Sequence, residues 1–400
     1  MKTIIKLILL GASLLLGAIL LSPRTAEAVG FRLPNQDPVA IARGNAFVAT
    51  ADNPSAIYYN PAGITQLQGN HFRAGLYLVS AGVEYTSSGS ATAKTDGTFQ
   101  PVPQFYYVHA PEETDFVLGL GLYAPYGLEV DWGENNPFSV LAQKGSVLYA
   151  CLNPVAACQI YPTLSLAIGP TLNYSEAEFK RAVGLSPGDS FSFNGDGTAF
   201  GFNAGLRWQP SSRWAFGVSY RSETKVDYDG TSLIAPYAPP TSTGGPLIYP
   251  QFVVAGISFR PTPSWNVELN VDWTDWNRVN QIVFNNTAFG NVALPLNLES
   301  SFMYEFGVTR EFAAGWFASV GYFYSENSYP DANFNPILPD ADLHLGSIGF
   351  GRRGPKWEFA AAYHFGYNAS RTVSGSVPGL ADGRYETLNH ALNIAIGLKF

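Results

Sequence analysis

The most regular feature of this chain is an alternation of apolar and polar residues that restarts many times between His71 and Phe400. After Ser264, the residues Trp265, Val267, Leu269, Val271 and Trp273 fall on one side, and Asn266, Glu268, Asn270, Asp272 and Thr274 on the other. This is the two-residue period of a strand. Trp214, Phe216, Val218 and Tyr220 alternate likewise with Ala215, Gly217, Ser219 and Arg221. So do Trp357, Phe359, Ala361, Tyr363 and Phe365 with Glu358, Ala360, Ala362, His364 and Gly366. The last stretch is the cleanest, with Leu392, Ile394, Ile396, Leu398 and Phe400 opposite Ala391, Asn393, Ala395, Gly397 and Lys399. Trp265 and Trp273 stand eight residues apart, which at ~3.3 Å per residue and ~40° tilt is ~20 Å along a membrane normal, near the spacing of two aromatic girdles.

Six tight turns punctuate the pattern: Pro111-Glu112-Glu113, Tyr161-Pro162, Pro210-Ser211-Ser212, Pro261-Thr262-Pro263, Phe312-Ala313-Ala314 and Gly354-Pro355. Proline presets such turns and is unsuited to the middle of a paired strand. Between them lie longer connections rich in Gly, Pro, Asn, Asp and Ser, at 87–98, 126–145, 182–189, 229–249, 285–298, 328–341 and 370–384. Short turns at one end and long loops at the other are the asymmetry of an outer-membrane barrel, whose short turns face the periplasm. Six hairpins, an opening strand near His71 and a closing one ending at Phe400 predict an all-β fold, a transmembrane antiparallel β-barrel of about 14 strands.

The N-terminus follows other rules. Lys2 and Lys6, the apolar run Leu7 to Leu21 and Ala26-Glu27-Ala28 read as a secretory signal peptide over residues 1–28, so the mature chain begins at Val29. No later segment has the ~18 consecutive apolar residues of a membrane helix. Residues 29–70 lack a strand period but contain Phe31, Ile41, Phe47, Ile57, Tyr58 and Tyr59, too apolar for a free tail. We expect an N-terminal hatch, with a helix over Val39 to Ala46 and a turn at Asp52 to Gly63 opened by Asn53-Pro54 and closed at Pro61. Residues 71–400 form the barrel.

Composition narrows the class. Only 14% of the 400 residues are charged, and mean hydropathy is +0.02, which suits strands with one lipid face and one lumenal face. A net charge of -8 argues against nucleic acid as a partner. The two cysteines, Cys151 and Cys158, belong to one strand entering the Tyr161-Pro162 turn. Their odd separation sends them to opposite faces ~23 Å apart, unless Asn153-Pro154 breaks the strand and lets them bridge. None of the five histidines has a serine two residues away, and there is no Gly-x-Ser-x-Gly, which argues against an enzyme. No metal cluster, phosphate loop or cofactor motif is evident.

At this point the residues carry a resemblance. Gly30-Phe31, Asn60-Pro61-Ala62-Gly63 before the first strand, Tyr123-Ala124-Pro125-Tyr126-Gly127, Gly217-Val218-Ser219-Tyr220-Arg221-Ser222, Asp272-Trp273-Thr274-Asp275-Trp276 and the closing strand resemble the FadL-type long-chain fatty-acid and aromatic-hydrocarbon transporters of the bacterial outer membrane. The resemblance implies a barrel with an internal hatch that passes hydrophobic molecules inward without an energy source. It also implies a docking groove among the outer loops, a pocket beside the hatch and a sideways exit at a kink in the third strand. Asn60, Pro61 and Ala62 match the hatch motif, expected to anchor near that strand.

Residue chemistry bears on the same points. In the third strand, expected at Thr114 to Pro125, Gly119 and Gly121 lack inward side chains and Pro125 lacks a ladder donor, with Gly127 just beyond, so the stretch pairs weakly. The glycines equally make room for hatch side chains. Trp132, Phe138, Leu141, Leu247 and Tyr249 are apolar loop residues suited to a docking groove, or to loop-on-loop packing. Arg43, Arg73, Arg207 and Arg221 are candidate partners for a ligand carboxylate, but Glu268, Asp272 and Glu358 point inward as well and can pair with them. Whether the cargo is a fatty acid or a neutral hydrocarbon is open at this level. The expected partners are a hydrophobic small molecule, outer-membrane lipid and lipopolysaccharide, and the barrel-assembly machinery, for which terminal Phe400 resembles the C-terminal signal of a monomeric barrel. A general porin and a lipid-modifying barrel enzyme are the alternatives.

Overall fold

The computed structural model describes residues 30–400 apart from positions 96, 98, 113 and 369. The expected signal peptide lies outside the described residues. The barrel strands are β1 (Gly69–Thr86), β2 (Gln100–Ala110), β3 (Phe116–Tyr123 and Gly127–Asp131), β4 (Lys144–Tyr161), β5 (Leu164–Arg181), β6 (Ser190–Trp208) and β7 (Trp214–Arg221 and Thr224–Ala235). They continue as β8 (Ala238–Tyr249 and Phe252–Thr262), β9 (Trp265–Thr274), β10 (Ser301–Glu311), β11 (Trp316–Ser325), β12 (Leu343–Arg353), β13 (Trp357–Asn368) and β14 (Gly383–Lys399). Each pairs antiparallel with its neighbours, and β1 closes on β14 in unbroken register from His71↔Lys399 to Thr86↔Arg384. Closure leaves no free edge between the first and last strands, as a lipid environment demands.

The two-residue period holds on the strands. On β9, Trp265, Leu269 and Val271 are exposed on the outer wall while Asn266, Glu268, Asn270 and Asp272 are buried inside. β13 and β14 alternate with the expected faces. Five of the expected turns join successive strands at the short-turn end, and the sixth, Pro111-Glu112-Glu113, includes a position outside the described residues.

Several of the long connections differ from expectation in containing paired strands, Gly127–Asp131 in β3 among them. Residues 229–249 are a paired extension of β7 and β8, and Gln281–Thr287 pairs with Gly290–Pro295 as a second hairpin. The first holds together because Val226, Tyr228, Leu247 and Tyr249 are buried. Its Gly, Pro and Ser content concealed that alternation.

Inside the barrel lies the segment 30–68, with Ala40, Phe47, Ile57 and Ala62 fully buried. Helix α1 (Pro38–Ile41) starts where Asp37 Oδ1 accepts the Val39 N–H at 2.8 Å. It ends short of the expected Ala46 because Gly44 and Asn45 adopt φ of 57° and 63°, outside the helical region. Helix α2 (Ala56–Tyr59) is followed by a 3-10 turn, Pro61–Gln66, capped by Asn60. Its own N-cap is Ser55, not Asn53, whose Oδ1 accepts the Ser55 N–H at 2.8 Å. Both cysteines are free on an uninterrupted β4, Cys151 buried and Cys158 half-buried.

Candidate functional site

Ion pairs bind the lumenal segment to the wall. Arg43 meets Glu268 on β9 at 3.0 Å. Arg73 on β1 joins Asp37 and Glu358, the latter at 2.8 Å. Arg32, which sequence reasoning passed over, meets Asp272 at 2.7 Å and lies 3.6 Å from the Phe252 ring centroid. A lone charge beside Gly30-Phe31 in an apolar leader was its signal.

The other two arginines lack a carboxylate within ion-pair distance among the described residues. Arg207 donates to the Ala49 carbonyl and to Gln209, each at 2.9 Å. Arg221 is buried, donates to the Tyr123 hydroxyl, and sits between 5.3 and 5.9 Å from the rings of Tyr58, Tyr123 and Phe252. Its Nε has no hydrogen-bond partner among the described residues.

Asn60 of the Asn60-Pro61-Ala62 motif docks on β6, and Ile64 in the turn that follows reaches Gly119 of the third strand. Asn60 Nδ2 donates to the carbonyls of Val48 at 2.7 Å and Leu206 at 3.0 Å. A methyl at Gly205 would lie 2.3 Å from Asn60 Oδ1 and 2.8 Å from Pro61, so only glycine gives the motif its seat. The third strand also meets Ile57. A methyl on Gly119 or on Gly121 would approach that side chain to 2.9 Å.

β3 is interrupted at Ala124-Pro125-Tyr126. There the lumenal segment supplies the pairing: Leu33 N donates to the Pro125 carbonyl at 2.8 Å, and Gly127 N to the Phe31 carbonyl at 2.9 Å. β2 pairs with β3 only from Phe105 to His109. Gln100 to Gln104 pair with β1 alone. The result is a seam in the wall, covered from inside by residues 31–33.

Phe31 is held edge-on by Trp276 at 4.8 Å and Tyr249 at 5.5 Å, and lies 6.0 Å from Tyr126. Next to it, towards the long loops, is a cavity lined chiefly by apolar side chains including Phe31, Leu128, Phe179, Leu247 and Phe284. Of the expected groove residues, Leu247 lines this cavity and Tyr249 packs on Phe31. Trp132 and Phe138 pack on each other at 5.0 Å and reach Tyr385 and Tyr85, while Leu141 is partly buried against the core. Sequence reasoning missed Phe179, Phe193 and Phe284, whose contact depends on how the second hairpin folds over the barrel mouth.

Phe400 seals the start of the barrel to its end through two backbone bonds with Asn70, at 2.9 and 3.0 Å, and its ring is exposed.

Comparison with known proteins agrees with this architecture. The chain is 23% identical over 378 residues to the long-chain fatty acid transport protein of Escherichia coli O6:H1, covering 81% of this chain and 83% of that one. It is 24% identical to outer membrane protein P1 of Haemophilus influenzae, covering 68% and 71%. Among solved structures, a Pseudomonas aeruginosa FadL homologue superposes with a TM-score of 0.81 at 17% identity, over 93% of this chain and all of that one. The Pseudomonas putida toluene transporter TodX does so at 0.74 and 16%, over 94% of this chain and all of that one. The family model described as outer membrane protein transport protein (OMPP1/FadL/TodX) matches residues 19–374, and the chain belongs to that family.

Proposed function

We propose that this outer-membrane barrel transports hydrophobic small molecules, of the fatty-acid or hydrocarbon kind named for its relatives, passively from the loop-side cavity to a sideways exit at the seam in β3. The observation that carries the reading is the double role of Phe31. Its side chain lines the apolar cavity, and its carbonyl accepts from Gly127 at the edge of the seam. Moving residues 31–33 therefore opens the cavity floor and unpairs the wall in one step. An apolar solute leaving there enters lipid without crossing water. Segment 30–68 acts as the hatch, and its buried ion pairs keep the remainder of the lumen shut to polar solutes, against the porin alternative.

In this reading the chain is delivered by its signal peptide, assembled as a single barrel through recognition of Phe400, and surrounded by lipopolysaccharide. The test is a disulfide tether across the seam, L33C with P125C, in a C151S/C158S background. Oxidised barrels in liposomes should stop carrying a radiolabelled hydrophobic probe and recover on reduction. Undiminished uptake by the oxidised form rules out the lateral exit, and liposome swelling in small sugars supports a porin instead.

A further inference from the structure

A second cavity opens at the short-turn end, which in a barrel of this kind faces the periplasm. It lies where the lumenal segment meets β5 and β6, and its lining includes Thr65 and Gln66 from that segment, Ser165 and Arg207 from the wall, and Gln209 and Ser211 from the turn beyond β6. The apolar part of the lining is two prolines, Pro162 and Pro210.

Arg207 is the one charged residue lining this cavity among the described residues, and it is only 8% exposed. Two of its three guanidinium nitrogens are engaged, Nε with the Ala49 carbonyl and Nη2 with Gln209 Oε1, each at 2.9 Å. Nη1 makes no hydrogen bond among the described residues. The carboxylates whose fields reach this guanidinium, Asp52 and Glu268, belong to other arginines. Glu268 meets Arg43 at 3.0 Å, and Asp52 lies 3.4 Å from Arg353 and 3.9 Å from Arg260. A nearly buried cation without a counterion of its own is costly, and an anion entering the cavity offsets that cost.

The neighbours of Arg207 add donors. Ser211 Oγ accepts the N–H groups of Arg213 at 3.3 Å and Trp214 at 3.2 Å, so its own hydrogen is left to donate. Gln209 spends its oxygen on Arg207, which leaves its NH₂ group to donate. No carboxylate lines the cavity among the described residues, so nothing there repels an anion. Donors on separate residues suit a tetrahedral oxyanion, which presents acceptors in four directions.

We infer that Arg207, Gln209 and Ser211 form an anion site at the periplasmic mouth, and that it takes small hydrophilic phosphates from the aqueous side. The two prolines offer no wall for an acyl chain, so the ligand is a free anion and not the head group of a lipid. Because Arg207 Nε also holds Ala49, the anion sits on a side chain that ties the lumenal segment to β6.

The test is the ³¹P line width of inorganic phosphate, followed on adding the barrel in a phosphate-free detergent at constant ionic strength and pH about 7.5. The wild-type barrel should broaden the line. Arg207→Met should weaken the apparent affinity at least about tenfold, as loss of a charge-assisted hydrogen bond warrants. Ser211→Glu, which brings a carboxylate into the cavity from an exposed turn, should do the same without touching the lumenal segment. Arg213→Met, which removes an exposed charge from the same turn, should leave the broadening unchanged. Methyl phosphate and butyl phosphate should displace phosphate equally, and acetate more weakly. No broadening by the wild type, broadening that survives Arg207→Met or Ser211→Glu, or an equal loss with Arg213→Met overturns the site. Stronger displacement by butyl phosphate overturns the free anion in favour of a lipid head group, and stronger displacement by acetate overturns the phosphate class.

Discussion

Asn60 reaches from the lumenal segment to the carbonyl of Leu206 on β6, 146 positions later, and holds it at 3.0 Å. The same amide donates to Val48, and its oxygen accepts the Ala62 N–H at 3.2 Å. One side chain thus satisfies three backbone groups, two in the lumenal segment and one on the barrel wall.

Asn60→Ala leaves those buried groups without partners, each at a cost of about 1–3 kcal/mol. The barrel strands keep their own ladder, so the expected result is an intact barrel with a loosened segment. The barrel should keep its shifted mobility in unheated gels, while limited proteolysis cuts within residues 43–63. Unchanged protease resistance contradicts the anchoring role.

Glu268 accepts from Arg43 at 3.0 Å, from Ala49 N at 2.8 Å, from Thr50 N at 3.1 Å and from the Thr50 hydroxyl. Glu268→Gln strands the Arg43 charge in the lumen, a loss of about 3–5 kcal/mol for a broken buried pair. Removing both charges, R43M with E268M, should restore much of that stability. Urea midpoints of the two variants, compared with the wild type, measure the difference. A double variant no better than Glu268→Gln means that the backbone donors, not the ion pair, hold the segment.

Cys151 faces the lumen and Cys158 is half-buried on the opposite face of β4. Thiol titration in denaturant without reductant should therefore count two thiols per chain. In the folded barrel a membrane-permeant maleimide should label Cys158 well ahead of Cys151. A count of zero rejects this arrangement.

Asp189, in the loop after β5, is pulled two ways. Burial raises its pKa, but the N–H groups of Val183, Gly184, Leu185 and Ser186 outweigh it and hold the carboxyl down to about 2. A depressed carboxyl contributes loop stability that is full above its ordinary range, near 4, and disappears as pH falls towards 2. The loop should resist acid-stable protease at pH about 4.5 and become sensitive on approach to 2, while Asp189→Asn should be sensitive throughout. An Asn variant with wild-type resistance refutes this.

Much of the wall was legible in the sequence, because a strand with one lipid face must repeat every two residues. The run from Trp265 to Thr274 reads its own orientation. The turns were legible because proline marks them. The pairing of Arg43 with Glu268 and Arg73 with Glu358 was foreseeable once both sets pointed inward, though their matching required coordinates.

The cavity was less visible. Phe179, Tyr228, Leu247 and Phe284 come from four separate stretches, and no local period tells that a hairpin will bring Phe284 over Phe179. Gly119 and Gly121 were read in two ways, as weakness in β3 or as room for side chains of the hatch, and their closeness to Ile57 accords with the second. The weakness itself lies three residues on, where the wall borrows hydrogen bonds from residues 31–33.

That borrowing dictates an order of assembly. Residues 31–33 leave the cytoplasm before any strand does, yet Arg32 needs Asp272, and Asp37 is held through Arg73, which also needs Glu358. The first part of the lumenal segment is thus among the last to be fully secured, once about four-fifths of the sequence has followed it. A chain truncated before β9 lacks both Asp272 and Glu358, and so leaves Arg32 and Arg73 short of their partners on the wall.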